Sequence, residues 1–461
     1  MSEERKTGDW AALALSTRRR QRAHFDRGAT RPLDARLDTL KSLLAALEKR
    51  ENELLDALRA DLGKPPVEAW LAEFQFLRSD LRLAIKKLPS WSRPRRAGHP
   101  FYFLPASSRI HREPFGTALI MAPWNYPLQL ALSPAIAAIA AGNCVTIKPS
   151  ELSPATSSLL SGLVAEACDP ALMTVVEGEA ELGAALLDQP WDIFFFTGGE
   201  TVGTKVAAAA ARHLAPCVLE LGGKCPAVID STADLKLAAE RIGNGKFLNA
   251  GQTCIAPDFV AVPEDRYDEF IEHLDGFMAS ACSSMKSDLA RLPNRHHFDR
   301  VRGLATGEVK AFGEDDEDAL RLALRRVRVD WDHPAMQEEV FGPLLPVLPY
   351  SDRATLVDRL SQLPSPLALY IFSGDREFSD ELMVRVRSGS ACINDVMKQA
   401  LNHELPFGGV GSSGHGRYRG RAGFEAFGLT RPVMRRPQWK DPFFQPPPYG
   451  NLLDRLRRFL R

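Results

Sequence analysis

Three absences narrow the class of this protein before any motif is considered. The chain has no net charge, because 58 lysines and arginines balance 58 aspartates and glutamates. A basic field over the whole chain for nucleic acid is therefore excluded. The sequence also lacks an uninterrupted apolar run of the ~18 residues that a membrane span needs. No apolar stretch follows the polar N-terminal residues, so we expect no signal peptide.

Cysteine is scarce, and its placement excludes two common uses. The seven cysteines are scattered, their number is odd, and no two form a Cys-x-x-Cys pair. A disulfide framework or a zinc ribbon needs paired spacing, so we expect free thiols, a reducing cytoplasm and no metal site. The remaining composition, 45% hydrophobic and 25% charged over 461 residues, is typical of a soluble globular protein of roughly three domains.

The N-terminal region is predicted to be helical. Leucines from Leu33 to Leu58 recur at spacings of three, four and seven, with charges between them, which predicts a helix over 33–62. Gly63 and the prolines after it end this helix, and a second helix is predicted over 68–88.

Two charged segments favour ordinary surface roles. The arginines at 18–20 and 22 are interpreted as a solvated helix face rather than a nucleic-acid contact. The amphipathic run 452–459 favours packing or subunit contact over membrane binding.

From residue 109 onward, short apolar strands alternate with helical patterns. The predicted strands are 117–121, 144–148, 173–176, 193–196, 217–220, 227–229, 259–262, 345–348, 368–372 and 391–393. The predicted helices are 128–141, 155–168, 180–187, 202–213, 235–244, 267–280, 354–360 and 377–386. This alternation indicates parallel sheets covered by helices on both faces. The predicted fold class is therefore α/β, with two lobes and a cleft between them.

Polar side chains follow two strands of the first lobe. Asn125 precedes Pro127 at a helix start, where it either caps the helix or presents an amide at the sheet edge where ligands bind. Lys148 and Glu151 end the next strand, where they either form a surface pair or hold the hydroxyls of a nucleotide ribose. A third turn contains Gly198, Gly199 and Gly203. Glycines let the backbone approach a ligand and a helix N-terminus favours a pyrophosphate, but the spacing is not the G-x-G-x-x-G fingerprint.

One carboxylate and one thiol are candidates for chemistry. Glu220 ends an apolar strand ahead of two glycines, so it is either a general base with a raised pKa or a salt-bridged acid. Cys254 lies in the polar segment Asn249–Ile255, whereas three other cysteines stand in strand-like apolar runs. Because thiolates need polar or electropositive surroundings, Cys254 is the best candidate for a nucleophile.

Seven ordered segments together resemble the aldehyde dehydrogenase superfamily. They are Pro-Trp-Asn-Tyr-Pro, Lys-Pro-Ser-Glu, Phe-Thr-Gly, Glu-Leu-Gly-Gly-Lys, Gly-Gln-Thr-Cys, Glu-Glu-Val-Phe-Gly-Pro and Leu-Pro-Phe-Gly-Gly-Val-Gly. The resemblance covers essentially the whole chain. The short N-terminal region, Gly414–Tyr418 and Pro446–Tyr449 resemble the class 3 branch, which acts on aromatic and fatty aldehydes.

The resemblance implies a role for each matching residue. Cys254 would be the nucleophile, Glu220 the general base and Asn125 the side-chain donor to the oxyanion. The implied cofactor contacts are Lys148 and Glu151 at the adenosine ribose, Glu339 at the nicotinamide ribose with Phe341 and Trp124 nearby, and Gly198, Gly199 and Gly203 in the turn.

The resemblance also implies two Rossmann-like lobes and a small β extension that pairs with a second subunit in a homodimer. The expected division is a cofactor-binding domain of 1–92 and 115–219, a catalytic domain of 220–411, and an extension of 93–114 and 412–461. Two departures stand out. Glu200 replaces the threonine usual in the glycine turn and would repel a pyrophosphate. The stretch 288–330 lacks the usual glycine-rich pattern, and we expect it to alter the surface rather than the chemistry.

The implied reaction oxidises an aldehyde, aromatic or of medium to long chain, to the carboxylic acid, with NAD preferred over NADP. It proceeds through a Cys254 thiohemiacetal and a thioester, which water activated by Glu220 hydrolyses. Two alternatives stay open. A cofactor-binding protein without turnover is favoured by Glu200 and opposed by the presence of Cys254, Glu220 and Asn125 together. A CoA-acylating enzyme is opposed by a water-activating Glu220.

Overall fold

The computed structural model describes residues 9–284, 288–438 and 446–459. Within these ranges the strands are, in chain order, β1 Arg95–Ala97, β2 Ser107–Pro114, β3 Thr117–Met121, β4 Cys144–Lys148, β5 Met173–Val175, β6 Ile193–Thr197, β7 Cys217–Glu220, β8 Pro226–Ile229, β9 Phe259–Pro263, β10 Val309–Phe312, β11 Leu324–Arg328, β12 Leu344–Tyr350, β13 Ala368–Phe372, β14 Ser390–Ile393, β15 Gly414–His415 and β16 Gly428–Arg435.

Helices surround these strands. The α-helices of the described ranges are α1 Trp10–Asp26, α2 Leu33–Lys49, α3 Glu51–Leu62, α4 Pro66–Ala69, α5 Phe76–Trp91, α6 Gln129–Ala141, α7 Pro154–Ala167, α8 Ala180–Leu187, α9 Glu200–Arg212, α10 Leu235–Phe247, α11 Tyr267–Ser284, α12 Arg295–Leu304, α13 Pro334–Gln337, α14 Arg353–Gln362, α15 Arg376–Arg385, α16 Lys398–Leu401, α17 Gly420–Ala426 and α18 Leu452–Phe459. One π-helical segment, Trp70–Gln75, joins α4 to α5.

The first lobe is centred on a six-stranded sheet of order β15-β7-β6-β3-β4-β5. Its strands are parallel except for β15, which pairs antiparallel with β7. Alternate residues enter hydrophobic cores on opposite faces: Ile120 and Phe195 on one, Leu119 and Phe194 on the other. Both faces are buried, which explains why these strands are continuously apolar.

The second lobe is centred on a seven-stranded sheet of order β10-β11-β12-β9-β8-β13-β14. All neighbouring strands are parallel except β10 and β11. Two mainly parallel sheets with helices on their faces confirm the predicted α/β fold of two lobes.

A third sheet has the order β1-β2-β16 and is antiparallel throughout. It contains part of the expected extension 93–114, but its last strand begins only at Gly428. The preceding segment belongs to the first lobe instead, since Gly414 pairs with Glu220 and α17 packs on α6. The predicted extension of 93–114 and 412–461 thus contains strands of two different sheets: β1, β2 and β16 of the third sheet and β15 of the first.

Three other predictions of secondary structure are corrected. The helix predicted over 33–62 is two helices, separated at Arg50 (φ −105°, ψ 21°). The helix predicted over 68–88 contains the π-helical segment and runs on to Trp91. The stretch 288–330 contains α12, β10 and β11, which were not predicted. Strand β11 in particular is rich in arginine, which hides its apolar pattern. Arg326 of this strand pairs with Asp275, with Nε and Oδ1 2.5 Å apart.

None of the helices in the described part of the chain combines the length and the apolar composition needed to cross a membrane.

A buried ion pair connects the N-terminal helices to the first sheet. The side chains of Lys64 and Glu73 are both 0% exposed, with Nζ and Oε1 2.5 Å apart. Lys64 Nζ also donates to the carbonyl of Asn125 at 3.0 Å. The other Glu73 oxygen accepts the N–H groups of Leu128 and Gln129 at 2.9 and 3.2 Å, which caps the start of α6. Glu73 lies in the π-helical segment, a local geometry that is often found at functional sites.

We expect Lys64→Met to lower the free energy of unfolding by about 3–5 kcal/mol, because it leaves the Glu73 charge buried without its partner. Chemical denaturation followed by circular dichroism measures this change. Arg82→Met is the matched control, since it breaks the exposed pair of Arg82 with Glu48, and such pairs contribute about 0–1 kcal/mol. Equal effects of the two substitutions would contradict the assignment of the Lys64–Glu73 pair as a structural link.

Candidate active site

The carboxyl ends of four parallel strands form one edge of the first sheet. Met121 is in register with Lys148 and with Phe196, and Thr197 is in register with Glu220. The loops that carry Asn125, Glu151 and Gly198 therefore leave the sheet beside Glu220. This is the edge at which open α/β sheets bind ligands.

The segment before Cys254 is a left-handed turn that ends α10. Asn249 (φ 52°, ψ 32°) and Ala250 (φ 52°, ψ 36°) both lie in the left-handed region, and so does Gly251 (φ 73°). Such a conformation costs roughly 1–3 kcal/mol for each non-glycine residue and occurs where surrounding contacts enforce it. Gly251 has a second reason to be glycine, because a Cβ there would collide with the carbonyl of Gly342.

Three hydrogen bonds hold this turn. The Asn249 N–H donates to Glu68 Oε2 at 2.8 Å. Gln252 Nε2 donates to the carbonyls of Asn249 and Arg291 at 2.9 and 3.1 Å. Arg291 lies in the stretch 288–330, which thus also contacts the turn that carries Cys254; the expectation that this stretch alters the surface rather than the chemistry stays a prediction.

The loop after β3 is fastened directly to the same turn. Asn125 Nδ2 donates to the carbonyl of Gln252 at 2.9 Å, and Asn249 Nδ2 donates to the carbonyl of Asn125 at 2.9 Å. Asn125 does not cap α6, which begins only at Gln129. The N–H groups at the start of that helix are bonded to Glu73 instead. An amide nitrogen carries two hydrogens, so Asn125 can donate a second hydrogen bond to a bound group.

Cys254 is half-buried, and two carboxylates influence its thiol. Burial, followed by the charges of Glu339 and Glu220, raises the pKa of the thiol to about 12, and Arg419 acts weakly in the opposite direction. The surroundings are therefore polar and acidic. The thiol is neutral at neutral pH, so a proton acceptor must take its proton before it can act as a nucleophile.

Glu220 is 2% exposed at the end of β7. Neither of its carboxylate oxygens has a hydrogen-bond partner among the described residues. Burial raises the pKa of Glu220 well above its ordinary value, while the charges of Arg419 and Arg417 lower it. The geometry therefore favours a proton acceptor in weakly polar surroundings over the alternative of a salt-bridged strand-end acid.

Glu339 approaches from the second lobe and packs on the glycine pair that follows Glu220. A Cβ on Gly222 would collide with the Glu339 carboxylate. Burial and the charge of Asp258 raise the pKa of Glu339 to about 8, against a hydrogen bond from the Gly223 N–H and the charges of Lys224 and Lys246. Glu339 can therefore change its protonation state near neutral pH.

Lys224 and Asp258 hold the loop of Glu339 in place. The Lys224 ammonium contacts the Asp258 carboxylate and donates to the carbonyls of Ala335 and Glu338 at 2.7 and 3.0 Å. Asp258 Oδ1 accepts the Val340 N–H at 2.9 Å. Neither Lys224 nor Asp258 was predicted to have a role, although Lys224 ends one of the quoted segments.

Lys148 and Glu151 form a pair at the end of β4. Lys148 Nζ donates to Glu151 Oε2 at 2.9 Å and to the Pro149 carbonyl at 3.0 Å. Burial raises the pKa of Glu151, but the hydrogen bond and the charge of Lys148 outweigh it, so the pKa lies below the ordinary value. The lysine is buried, whereas the carboxylate is 45% exposed, so Glu151 is ionised and accessible to a ligand.

The glycine turn leads from β6 into α9. The Gly198 N–H donates to the Glu220 carbonyl at 3.0 Å, and a Cβ on Gly203 would come within 2.7 Å of Leu221. A Cβ on Gly199 would meet no atom within 4 Å, so the backbone is open to a ligand at this point. Glu200 is exposed in the first turn of α9.

Aromatic side chains border the site. The ring centroids of Trp124 and Phe341 lie 5.6 Å apart at 83°, and His297 packs on Trp124 at 5.4 Å. Phe341 has a left-handed backbone (φ 46°). Trp124 and Phe341, both predicted to lie near the cofactor, are thus in contact with each other, and His297 is a neighbour that sequence patterns did not indicate.

Two buried cations near the site were also not predicted. Lys246 has no hydrogen-bond partner among the described residues, and burial lowers its pKa to about 8. Arg419 is 6% exposed, and its charge reaches both Glu220 and Cys254. Neither cation belongs to a local motif of catalytic residues, and both have polar or charged residues close by in the chain, so no signal in the sequence distinguished them.

Alkylation of Cys254 by iodoacetamide should be faster in Glu339→Gln than in the unmodified protein. The Glu339 charge raises the thiol pKa, and this charge develops as the pH passes about 8. The advantage of the variant should therefore grow above pH 8, to roughly tenfold if one pKa unit is removed. Peptide mass spectrometry measures the rate. Glu338→Gln is the matched control, and an equal increase in that variant would contradict the assignment.

The chain is similar to known proteins over nearly its whole length. Residues 14–433 match the aldehyde dehydrogenase family. Aldehyde dehydrogenase family 3 member H1 of Arabidopsis thaliana is 39% identical over 450 residues, 95% of this chain and 93% of that protein. The dimeric, NADP-preferring aldehyde dehydrogenase of Canis lupus familiaris is 37% identical over 431 residues, 92% of this chain and 94% of that protein.

A solved structure agrees with this match. The substrate-bound state of AldH from Staphylococcus aureus has a TM-score of 0.94 at 36% identity, and the superposition covers 97% of this chain and 99% of that one. The matches extend over nearly the full length, so they include both lobes and every segment on which the predicted resemblance rests. The chain therefore belongs to the aldehyde dehydrogenase family.

Proposed function

We propose that Cys254, Asn125 and Glu220 carry out the oxidation of an aldehyde to its carboxylic acid as nucleophile, oxyanion donor and general base. The enzyme is an NAD(P)-dependent aldehyde dehydrogenase by its family. The observation that carries the assignment of residues is the convergence of three groups. The turn of Cys254 is bonded to Asn125, and the unpartnered Glu220 carboxylate faces the same thiol.

The residues at the sheet edge fit a dinucleotide. Gly199 leaves open space at the start of α9, where a pyrophosphate is favoured by free N–H groups. Glu151 would accept hydrogen bonds from the hydroxyls of the adenosine ribose, and Glu339 from those of the nicotinamide ribose. Trp124 and Phe341 would lie beside the nicotinamide ribose. When bound, the nicotinamide accepts the hydride that leaves the substrate carbon. The remaining steps are carried out by residues of the protein itself.

In the first step the half-buried Cys254 thiol releases its proton to solvent water, and the resulting thiolate attacks the aldehyde carbon and forms a thiohemiacetal. The substrate oxygen, on which negative charge develops, would accept hydrogen bonds from the Asn125 amide and from the Cys254 backbone N–H. Loss of one such donor typically lowers the rate by roughly 100–1,000-fold. Loss of hydride then leaves a thioester on Cys254.

In the second step Glu220 takes a proton from water, which attacks the thioester and releases the acid. A carboxylate with a raised pKa and no hydrogen-bond partner suits this role, because it can hold a proton near neutral pH. This arrangement supports hydrolysis over acyl transfer to CoA. The similarity to a family 3 aldehyde dehydrogenase supports aromatic or medium- to long-chain aldehydes as substrates.

We also propose the assembly and the domain roles. The first lobe, without its β extension, binds the cofactor, and the second lobe supplies Cys254 and Glu339. The three-stranded sheet would pair with its copy in a homodimer, in which the exposed Leu429 and Met434 of β16 become covered. The seven free cysteines support a reducing cytoplasm as the location. Light scattering tests the dimer.

Cys254→Ala should abolish oxidation across a panel of short aliphatic, long-chain and aromatic aldehydes, while circular dichroism and cofactor binding stay unchanged. The formation of reduced cofactor, followed by absorbance, measures the loss. Cys144→Ala is the control, since Cys144 is buried in β4 and its replacement should lower stability but not turnover per folded molecule. Turnover by the Cys254→Ala protein at the unmodified rate would refute the mechanism.

Glu220→Gln should retain a burst of one equivalent of reduced cofactor and lose steady turnover by roughly 100-fold or more. The thioester then accumulates because no base activates water, and intact-protein mass spectrometry detects the added acyl group. Product analysis with and without CoA separates hydrolysis from acyl transfer. Loss of the burst itself would show that Glu220 acts before the thioester forms.

NAD should be preferred over NADP, with measurable activity on both. Glu151 would repel the additional phosphate of NADP by ~1–4 kcal/mol if the charges are about 4 Å apart and partly solvated, and Lys148 is already bonded to Glu151. Glu151→Gln should therefore raise kcat/KM for NADP by roughly fivefold or more. Glu177→Gln is a control for total charge. A preference for NADP in the unmodified enzyme would show that Lys148 dominates.

A further inference from the structure

The segment that follows the second lobe returns to the end of β7. Gly414 pairs with Glu220 and His415 with Leu219 in antiparallel register. Farther along, Tyr418 and Phe407 exchange two backbone hydrogen bonds of 2.8 and 3.0 Å. These contacts fix Tyr418, and Arg419 directly after it, beside the strand that carries the proposed general base.

Arg419 is buried among aromatic rings. Its guanidinium carbon lies 4.2 Å from the ring centroid of Phe407, 4.8 Å from that of Phe76 and 5.5 Å from that of Tyr418. Its Nε and Nη1 are buried and have no hydrogen-bond partner among the described residues. The faces of the rings attract the cation without satisfying its N–H groups as hydrogen-bond acceptors do. The guanidinium thus keeps its charge and has donors that are not committed.

A second arginine near Glu220 is committed elsewhere. Arg417 Nη1 donates to the carbonyls of Gly409 and Gly416 at 2.5 and 2.7 Å. Its side chain and the Glu220 carboxylate both lie next to Gly408, where a Cβ would come within 3.1 Å of Arg417 Cδ and 3.0 Å of Glu220 Oε1. Arg419 is the stronger of the two cationic influences on Glu220.

The other ionisable groups around this pair are accounted for. Tyr418 and Cys254 also face Glu220, and burial raises the pKa of each, so both are neutral near neutral pH. Asp80 lines a small cavity together with Arg419. Its carboxylate accepts a hydrogen bond from Ser133 at 2.6 Å and lies 3.2 Å from His403 Nδ1. Asp80 is thus committed to other partners. Phe407, whose ring holds the Arg419 cation, directly precedes Gly408, where a Cβ would come within 3.0 Å of Glu220 Oε1. The uncommitted cation and the uncommitted carboxylate therefore lie in the same part of the fold.

We propose that Arg419 is a positioning residue for hydrolysis: its caged cation stabilises the ionised form of Glu220, so that this carboxylate can take a proton from water. The inference rests on the proposed role of Glu220. A buried carboxylate without a nearby cation stays protonated and cannot act as a base. The aromatic cage holds the cation by cation–π attraction without neutralising it through a permanent salt bridge. Glu220 thereby remains free to alternate between its two protonation states.

Arg419→Met tests this role with benzaldehyde and NAD over about pH 6 to 10. The burst of reduced cofactor should keep its amplitude per folded molecule, while steady turnover at neutral pH falls by roughly tenfold. The rise of steady turnover with pH should move to higher pH, because removal of the cation raises the Glu220 pKa. Arg421→Met is the matched control, since it removes an exposed arginine two residues away that pairs with Glu425, and it should leave the profile unchanged.

Two further variants keep the proposal testable if Arg419→Met does not fold. Arg419→Lys preserves a charge and should keep the pH profile near that of the unmodified enzyme, whereas Arg419→Gln should shift it upward. In the Glu220→Gln background, replacement of Arg419 should cause no further loss of steady turnover. A pH profile unmoved by Arg419→Gln or Arg419→Met, or an additive loss in the double variant, would overturn the inference. If Glu220→Gln alone lacks the burst, the proposed function of Glu220 has failed instead.

Discussion

The buried ion pair of Lys64 and Glu73 is the interaction on which the geometry of the site depends most. Glu73 satisfies the first N–H groups of α6, and Lys64 binds the Asn125 carbonyl. Asn125 in turn bonds to the turn that precedes Cys254. Groups from the N-terminal helices, the first sheet and the second lobe are thus joined in one network. Loss of one partner of a buried charge pair is costly, so the network favours one position of Asn125 relative to the turn that carries Cys254.

The site also has to balance several buried charges. Glu220, Glu339 and the Cys254 thiol all have raised pKa values, and each would raise the others further on ionisation. Lys224, Lys246 and Arg419 supply the opposite charge from three different parts of the chain. The balance permits proton transfer near neutral pH, because neither Glu220 nor Glu339 forms a salt bridge with another described residue. Such separated pKa values are the usual means by which one site provides both an acid and a base.

The sequence was sufficient for the residues whose neighbours along the chain signal their role. The apolar strands ending at Met121, Lys148 and Glu220 marked the sheet edge, and the polar turn marked Cys254. The π-helical segment could not be predicted, since Glu73 owes its role to Lys64 and to α6 rather than to adjacent residues. Arg291 was missed for the same reason, because its contact with Gln252 joins segments that are far apart in the chain.

The short strand β15 has a consequence for how the enzyme is made. Its pairing with Glu220 closes the edge of the first sheet with residues that are synthesised after the entire second lobe. A nascent chain that has completed the second lobe and strands β3 to β7 already contains the proposed nucleophile and the proposed oxyanion donor. It still lacks the segment that surrounds the Glu220 carboxylate. The edge of the first sheet beside Glu220 can therefore be closed only after the C-terminal segment has been synthesised.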